Sequence, residues 1–373
     1  MKSGGQHRRV ALLTKFKTWL IFAMGCIGFN ANRQQEGFIM AKCTCLMFVV
    51  ILLANSAFSE TIDERVIRIA GEYFDEGRFN EARAVVEEAM RQYPENARLH
   101  LILGNIHFRL NDICLALEYS ARAIELDNFF ADAFASRAFV HRTLGNYDEA
   151  LENINMALHL HPENHNFYNN RALIHRRMGN SLLAFGDFSR AIEMDPLRFE
   201  LFHGRGVAFV YLGLFDPALS DFDEAINLNN EFAGNFVDRA GALFRLGRHE
   251  AAMEDLDTAI RLDGRDDGAH FSRGYLNLRM GNLHEAISDF TEAIRLSPNN
   301  EDAHFNRGFV NFGVDRLNEA VLDFTKAIRL NPNNMNAFIN RAYVYRHLAN
   351  LTDDTEQMLE YLRKAQADEA IVC

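Results

Sequence analysis

The sequence predicts an all-α fold, a linear stack of helical hairpins, and three observations carry that expectation. Alanines stand 34 residues apart at Ala82, Ala116, Ala150, Ala184, Ala218, Ala252, Ala286 and Ala320, and a second row runs in phase with them through Ala89, Ala123, Ala157, Ala191, Ala225, Ala259, Ala293 and Ala327. Apolar residues between these landmarks recur at helical spacing. Glycine, asparagine and proline interrupt that spacing at two places in the period. A period of this length marks similar units that each bury an apolar face against their neighbours, so function belongs to a surface the stack creates.

The period from Asp267 to Asn300 shows what one unit wants. Ala269, Gly274 and Leu278 lie at helical spacing, and Met280-Gly281-Asn282 stops that helix. A second helix carries Leu283, Ala286, Ile287, Phe290, Ala293 and Ile294 on one stripe and ends at Ser297-Pro298-Asn299-Asn300. Alanine in the contact lets the two axes approach closely without leaving a void. Helix propensity alone would not hold alanine in phase. Units of this kind begin at Asp63, Ala97, Ala131, His165, Phe199, Ala233, Asp267, Glu301 and Met335, and together fill residues 63–368.

These residues resemble the tetratricopeptide repeat. In the unit from His165, the small residue of that family's first helix is Ala172, the small residue and aromatic of its second are Ala184 and Phe188, and Ala191 and Pro196 follow, with Gly179 at the turn. The resemblance implies a right-handed superhelical solenoid of about nine hairpins with the first helix of each on the concave side. The ninth unit departs from the pattern, since Asp354 and Tyr361 stand where alanines are expected. That suits a capping unit whose outer face meets water, and residues 369–373 remain as a short tail.

Residues 1–59 have a different composition. Residues 43–59 carry no charge, follow Met40-Ala41-Lys42 and end in the small-x-small pattern Ala57-Phe58-Ser59, so residues 40–59 read as a secretory signal peptide. The expectation is an exported protein, periplasmic or secreted. The alternative is a membrane anchor through residues 43–59, although the apolar run falls short of the ~20 residues a spanning helix needs. A second apolar run, Trp19 to Phe29, sits behind Arg8, Arg9, Lys15 and Lys17 and fits a start assigned too early or a tandem targeting segment. The chain's 39 basic and 51 acidic side chains give a formal charge of −12; without residues 1–59, 32 basic and 50 acidic remain, giving −18. Such an acidic chain is unsuited to nucleic acid. Cys114 and Cys373 alone lie outside the leader, too few for a disulfide framework.

The seventh position of the unit, apolar in the family, is here Arg137, Arg171, Arg205, Arg239, Arg273, Arg307 and Arg341. Facing positions of an antiparallel hairpin have a constant sum, which sets the seventh position opposite the twenty-third. That position is Asp187, Asp221, Asp255, Asp289 and Asp323 in the fourth to eighth units. The two change together, as Ile69 with Val85, Leu103 with Tyr119, Arg137 with Asn153 and Arg341 with Gln357. Interhelical ion pairs are therefore expected at Arg171–Asp187, Arg205–Asp221, Arg239–Asp255, Arg273–Asp289 and Arg307–Asp323. The alternative has these arginines lining a ligand groove.

Binding residues are sought on the first helices. Arg142, Arg176, Arg177, Arg245, Arg279 and Arg346 form a basic stripe near their ends, where the helix macrodipole also favours arginine. Asn170, Asn306 and Asn340 share the sixth position, and asparagine amides both donate to and accept from the backbone of an extended peptide. The row is similar to the asparagine ladder of the repeats that recruit substrates to O-linked N-acetylglucosamine transferase, with a break at Gly204. Phe271, Tyr275, Phe305, Phe309 and Phe312 add an aromatic surface that could hold a partner's apolar anchors or pack between neighbouring helices. There is no phosphate-cradling glycine motif, nucleophile elbow or His-Glu-x-x-His, and the cluster His159, His161 and His165 lacks a fourth metal ligand. No catalytic residue, cofactor or metal is expected. The function expected is a non-catalytic scaffold that binds an extended, acidic protein or peptide in its concave groove, and the alternative is an envelope-anchored assembly factor or an accessory subunit of an enzyme complex.

Overall fold

A computed structural model describes residues 62–372, so the expectations for residues 1–59 lie outside the described residues. Among the described residues every regular element is an α-helix, eighteen in all. The chain divides into two compact units, Met1–Glu76 and Gly77–Cys373. The described part of the first is α1, Ile62–Asp75.

The second unit opens with α2, Phe79–Gln92, and continues as hairpins. These are α3 (Ala97–Arg109) with α4 (Ile113–Leu126), α5 (Ala131–Leu144) with α6 (Tyr147–Leu160), and α7 (His165–Arg177) with α8 (Ser181–Met194). Next come α9 (Phe199–Tyr211) with α10 (Phe215–Leu228), α11 (Ala233–Arg245) with α12 (His249–Leu262), and α13 (Asp267–Met280) with α14 (Leu283–Leu296). Two more close the chain: α15 (Glu301–Gly313) with α16 (Leu317–Leu330), and α17 (Met335–Leu351) with α18 (Thr355–Val372).

The turn inside each hairpin explains its punctuation. Gly145, Gly179, Gly213, Gly247 and Gly281 all adopt left-handed backbone, with φ between 74° and 83°, and Asn111 and Asp315 take the same conformation in their units. Asparagine and aspartate are among the few side chains that tolerate it. The next residue's N–H then donates to the carbonyl five residues back, as Asn180 to His175 and Asn282 to Asn277 at 2.8–2.9 Å, which satisfies a carbonyl at the helix end. Between hairpins, side-chain oxygens of Asn96, Asn164, Asp266, Asn300 and Asn334 cap the following helix.

Both alanine rows are buried where they lie in this unit, and Phe188, Phe222, Phe290 and Phe324 are completely enclosed beside them. The rings fit because glycine faces them. A Cβ on Gly206 would sit 2.8 Å from the Phe222 ring, and one on Gly204 2.5 Å from that of Phe188. Gly204 interrupts the asparagine row for this reason: no side chain fits there.

The odd-numbered helices from α3 to α17 each touch the next odd-numbered helix, whereas no even-numbered helix touches another. Inner helices that crowd together and outer helices that splay apart define a curved stack, with α3, α5, α7, α9, α11, α13, α15 and α17 on the concave side.

The ninth unit differs from expectation. Helices α17 and α18 have 17 and 18 residues against 13 or 14 elsewhere in the stack. Ala365 is fully buried and Asp368 bonds Arg341, so they occupy the places that strict periodicity assigns to Asp354 and Gln357. The unit is therefore lengthened by eleven residues and keeps its packing residues. Asp354 instead accepts the N–H of Glu356 at the start of α18. Residues 369–372 continue that helix and do not form a tail.

Candidate functional site

Two populations of arginine stand on the inner helices, and their surroundings separate them. The first is the row at the seventh position. Arg171 reaches Asp187 with Nε at 2.8 Å and Nη2 at 2.7 Å. Arg205–Asp221, Arg239–Asp255, Arg273–Asp289 and Arg307–Asp323 repeat this two-bond geometry between the helices of their hairpins. The carboxylates are buried and the arginines half-buried, so these are charge-assisted pairs in the stack's interior. Arg137 bonds Asn153 at 2.6 Å. Arg341 bonds Asp368, where periodicity had set Gln357 opposite it.

From Arg171 onward each of these guanidinium groups also uses its remaining nitrogen, a contact the sequence pairing had missed. Nη1 of Arg171, Arg205, Arg239, Arg273, Arg307 and Arg341 donates to Asn155, Ser189, Asp223, Asp257, Thr291 and Thr325, which lie on the outer helix of the preceding hairpin. The signal was present: from Arg171 to Arg307 both partners lie sixteen residues from the arginine, one on each side, and Arg341 keeps the spacing on the side of Thr325. Hydrogen bonding to Asp255 and then Asp223 outweighs burial and holds Arg239 above its ordinary value. For Asp323, burial acts upward, but the nearby His304 ring together with hydrogen bonds from Arg307 and Asn311 outweighs it and keeps the carboxyl below its usual range. One side chain thus ties three helices, and little of it remains for a ligand.

The second population is the stripe at the helix ends. Arg142 closes α5, and Arg176 and Arg177 close the neighbouring α7. None of the three forms an ion pair among the described residues. Burial lowers the pKa of Arg142, and repulsion from Arg177 and Arg176 lowers it further; Arg176 is lowered by burial and by Arg177, with partial relief from Asp238 and Tyr211. The Arg142 guanidinium lies 4.9 Å from the centre of the Phe139 ring. Arg142 and Arg176 are thus partly buried cations that share like charge with the exposed Arg177.

The other candidates are placed unevenly. Arg245 lies over the Phe215 ring at 5.0 Å, and Arg279 is exposed. Arg346 is held by two bonds to Glu369 on α18, which neutralises it within its own hairpin. Asn306 and Asn340 donate to the carbonyls of Asp302 and Asn336 on their own helices at 2.8 Å, so each offers a partner mainly its amide oxygen. Asn170 is half-buried on α7, beside the ladder arginine Arg171. Phe271 packs on Phe290, Phe305 on Phe324, Tyr275 on Phe244 and Phe312 on His347. Of the five aromatics only Phe309 is exposed, at 46%. Tyr211 and Tyr343 are more exposed still, and sequence reasoning missed both. Their signal is positional: Tyr343 shares the ninth position with Phe309, and Tyr211 the thirteenth with Arg177, Arg245 and Arg279.

Comparison with known proteins agrees with this architecture. Tetratricopeptide repeat family models match residues 68–129, 137–198 and 203–267, and two further repeat models match 278–314 and 301–334. Among solved structures the chain is similar to the APC/C hetero-tetramer Cut9–Hcn1, with a TM-score of 0.60 and 21% identity over 67% of this chain and 49% of that one. It thus spans about half the length of that protein. A tetratricopeptide repeat protein from Parabacteroides merdae matches with a TM-score of 0.47 and 20% identity over 81% of this chain and 98% of its own. YrrB, described as a TPR protein with an unusual peptide-binding site, matches with a TM-score of 0.40 and 24% identity over 49% of this chain and 95% of its own. With repeat models covering more than half of its length and the hairpin stack they describe, this chain belongs to the tetratricopeptide repeat family.

Proposed function

We propose that this protein is a non-catalytic interaction scaffold that holds an extended, acidic polypeptide along its concave face. The observation that carries the reading is the cluster of Arg142, Arg176 and Arg177. In a chain of net charge −12, carboxylates are abundant, yet these three cations from adjacent inner helices have none as an ion-pair partner among the described residues. Arg142 and Arg176 are partly buried and repelled by the neighbouring Arg177, and an incoming carboxylate supplies the opposite charge that offsets both costs. Arg245 and Arg279 extend the positive surface towards the later repeats, and Phe309 and Tyr343 offer apolar contact beyond them. The ladder arginines hold the stack and leave the binding to these residues.

Fluorescence anisotropy with a labelled oligoglutamate peptide tests this. The full chain should bind the peptide with an affinity that falls as salt rises, and Arg176→Glu with Arg177→Glu should weaken binding at least tenfold and flatten the salt dependence. Unchanged binding by the double variant removes the cluster from the mechanism. Export by the leader belongs to the same proposal: cell fractionation should find the protein soluble outside the cytoplasm, and retention in the membrane fraction would favour the anchored alternative.

A further inference from the structure

Glycine in the middle of a helix costs about 1 kcal/mol relative to alanine, so a helix keeps one there for a reason. In the inner helices from α3 onward, most mid-helix glycines show theirs. A Cβ on Gly104, Gly204, Gly206, Gly274 or Gly308 would lie 2.5–3.2 Å from a phenylalanine ring or a backbone oxygen. Gly241 of α11 is different. It is exposed, its φ is not in the left-handed region, and nothing stands within 4 Å of where its Cβ would be. Packing does not require it.

What the missing side chain leaves is a cavity of about 140 Å³ between α11 and α13, with Gly241 at its edge. Phe244, Phe271 and Tyr275 line it, Leu256 and Leu276 underlie it, and Ser272 contributes a hydroxyl. The Phe244 and Tyr275 rings meet edge to face at 5.7 Å, which stiffens the walls. A cavity of about 150 Å³ with apolar walls holds a benzene molecule, so the volume suits a single phenyl or leucine-sized group. The exposed Arg245 follows Phe244 directly, and the exposed Arg279 lies one turn beyond Tyr275. An apolar recess is thus set beside two cations.

We infer that the recess at Gly241 is a specificity pocket for one phenylalanine- or leucine-sized side chain of the partner, taken from a segment in which acidic residues flank it. This rests on the reading of the concave face as an acidic-polypeptide groove and adds to it a required apolar anchor. Glycine leaves the recess open, whereas a side chain as large as leucine at this position would occupy it.

Two labelled peptides test the pocket on the full chain: oligoglutamate with one central phenylalanine, and the same peptide with alanine in its place. The phenylalanine peptide should bind at least tenfold more tightly, the scale expected for burying one aromatic side chain. Gly241→Leu should bring the ratio of the two affinities close to one. Equal affinities in the unaltered protein, or a preference that survives Gly241→Leu, overturn the pocket and leave the groove standing. Failure of both peptides to bind overturns the groove and the pocket with it. A benzoylphenylalanine at the central position, photo-crosslinked to the unaltered chain, gives a measurement independent of the variant's folding. Adducts on α11 or α13 are expected, and adducts confined to other helices refute the assignment.

Discussion

Replacing Arg239 by leucine tests the division of labour between the two arginine populations. Arg239 donates two bonds to Asp255 and one to Asp223, and its side chain is 23% exposed against 8% for that of Asp255. The substitution leaves a buried carboxylate without its cation, which costs ~3–5 kcal/mol when the pair is fully enclosed. Residual exposure of the arginine places the expected loss near the lower bound, about 3 kcal/mol. Asp223 is 59% exposed and returns to water at little cost.

The loss should fall first on the α11–α12 hairpin, because each unit of a repeat array is stabilised by itself and its nearest neighbours. Urea unfolding should show a lower midpoint, and hydrogen exchange should show α11 and α12 losing protection before distant hairpins. The second unit of this chain suggests the compensating change, since it carries Leu103 and Tyr119 at the two equivalent positions. Arg239→Leu with Asp255→Leu should therefore regain most of the stability, as well-packed apolar replacements of buried ion pairs commonly do. Both variants should still bind oligoglutamate. An unmoved unfolding midpoint combined with lost peptide binding would refute the structural assignment and return Arg239 to the groove.

Three further outcomes follow from individual contacts. The carboxyl of Asp323 is held below its ordinary 3.8, so its contribution is complete above that value and is lost as pH falls through the lower folded-state value. Asp323→Asn should accordingly flatten the acid limb of a stability–pH curve measured by urea unfolding, while a neutral amide still accepts from Arg307 as Asn153 does from Arg137. Gly206→Ala should destabilise by about 1–3 kcal/mol because its Cβ meets the Phe222 ring at 2.8 Å, whereas Gly241→Ala, with open space around it, should stabilise by about 0.5–1 kcal/mol; thermal melts distinguish the signs. Ending the chain before Ala365 should strip protection from α17 in hydrogen exchange, since Arg341 then loses Asp368 and the alanine contact is removed.

The hairpins and their ion pairs were legible because each depends on spacing within one or two periods. Arg171 and Asp187 stand sixteen residues apart, and helix geometry turns that separation into a facing position without reference to the rest of the chain. The ninth unit was misread because periodicity was extended through an insertion. Its own signal lay in the Ala-x-x-Asp pattern shared by Ala320 with Asp323 and Ala365 with Asp368, which survives the shift of eleven residues. The binding face was harder to read because side chains at equivalent positions have different fates. Phe305 and Phe309 both belong to α15, yet one packs on Phe324 and the other is exposed. Arg346 and Arg142 both stand at the twelfth position, and only the presence of Glu369 on a lengthened α18 neutralises the former. Such differences depend on what a neighbouring helix presents, and a one-dimensional period does not encode that.

What separates a structural arginine from a candidate for binding in this stack is therefore the fate of its hydrogen-bond donors rather than its charge or its burial. Arg171 and Arg142 are both partly buried on inner helices. The first meets an aspartate and an asparagine sixteen residues away on either side; the second meets a phenylalanine ring and two other arginines. Evolution of a repeat array copies the unit and with it the internal partners, so a row that is satisfied in every copy contributes to holding the stack. A cation left without an acidic partner in one or two copies is offered at most a ring face by its own unit, as Arg142 is by Phe139. Gly241 follows the same logic in apolar form, as a position where one unit omits what packing would welcome. In a molecule built by repetition, the candidate function lies where a copy departs from the pattern without a packing reason: at Arg142, Arg176 and Arg177 for charge, and at Gly241 for shape.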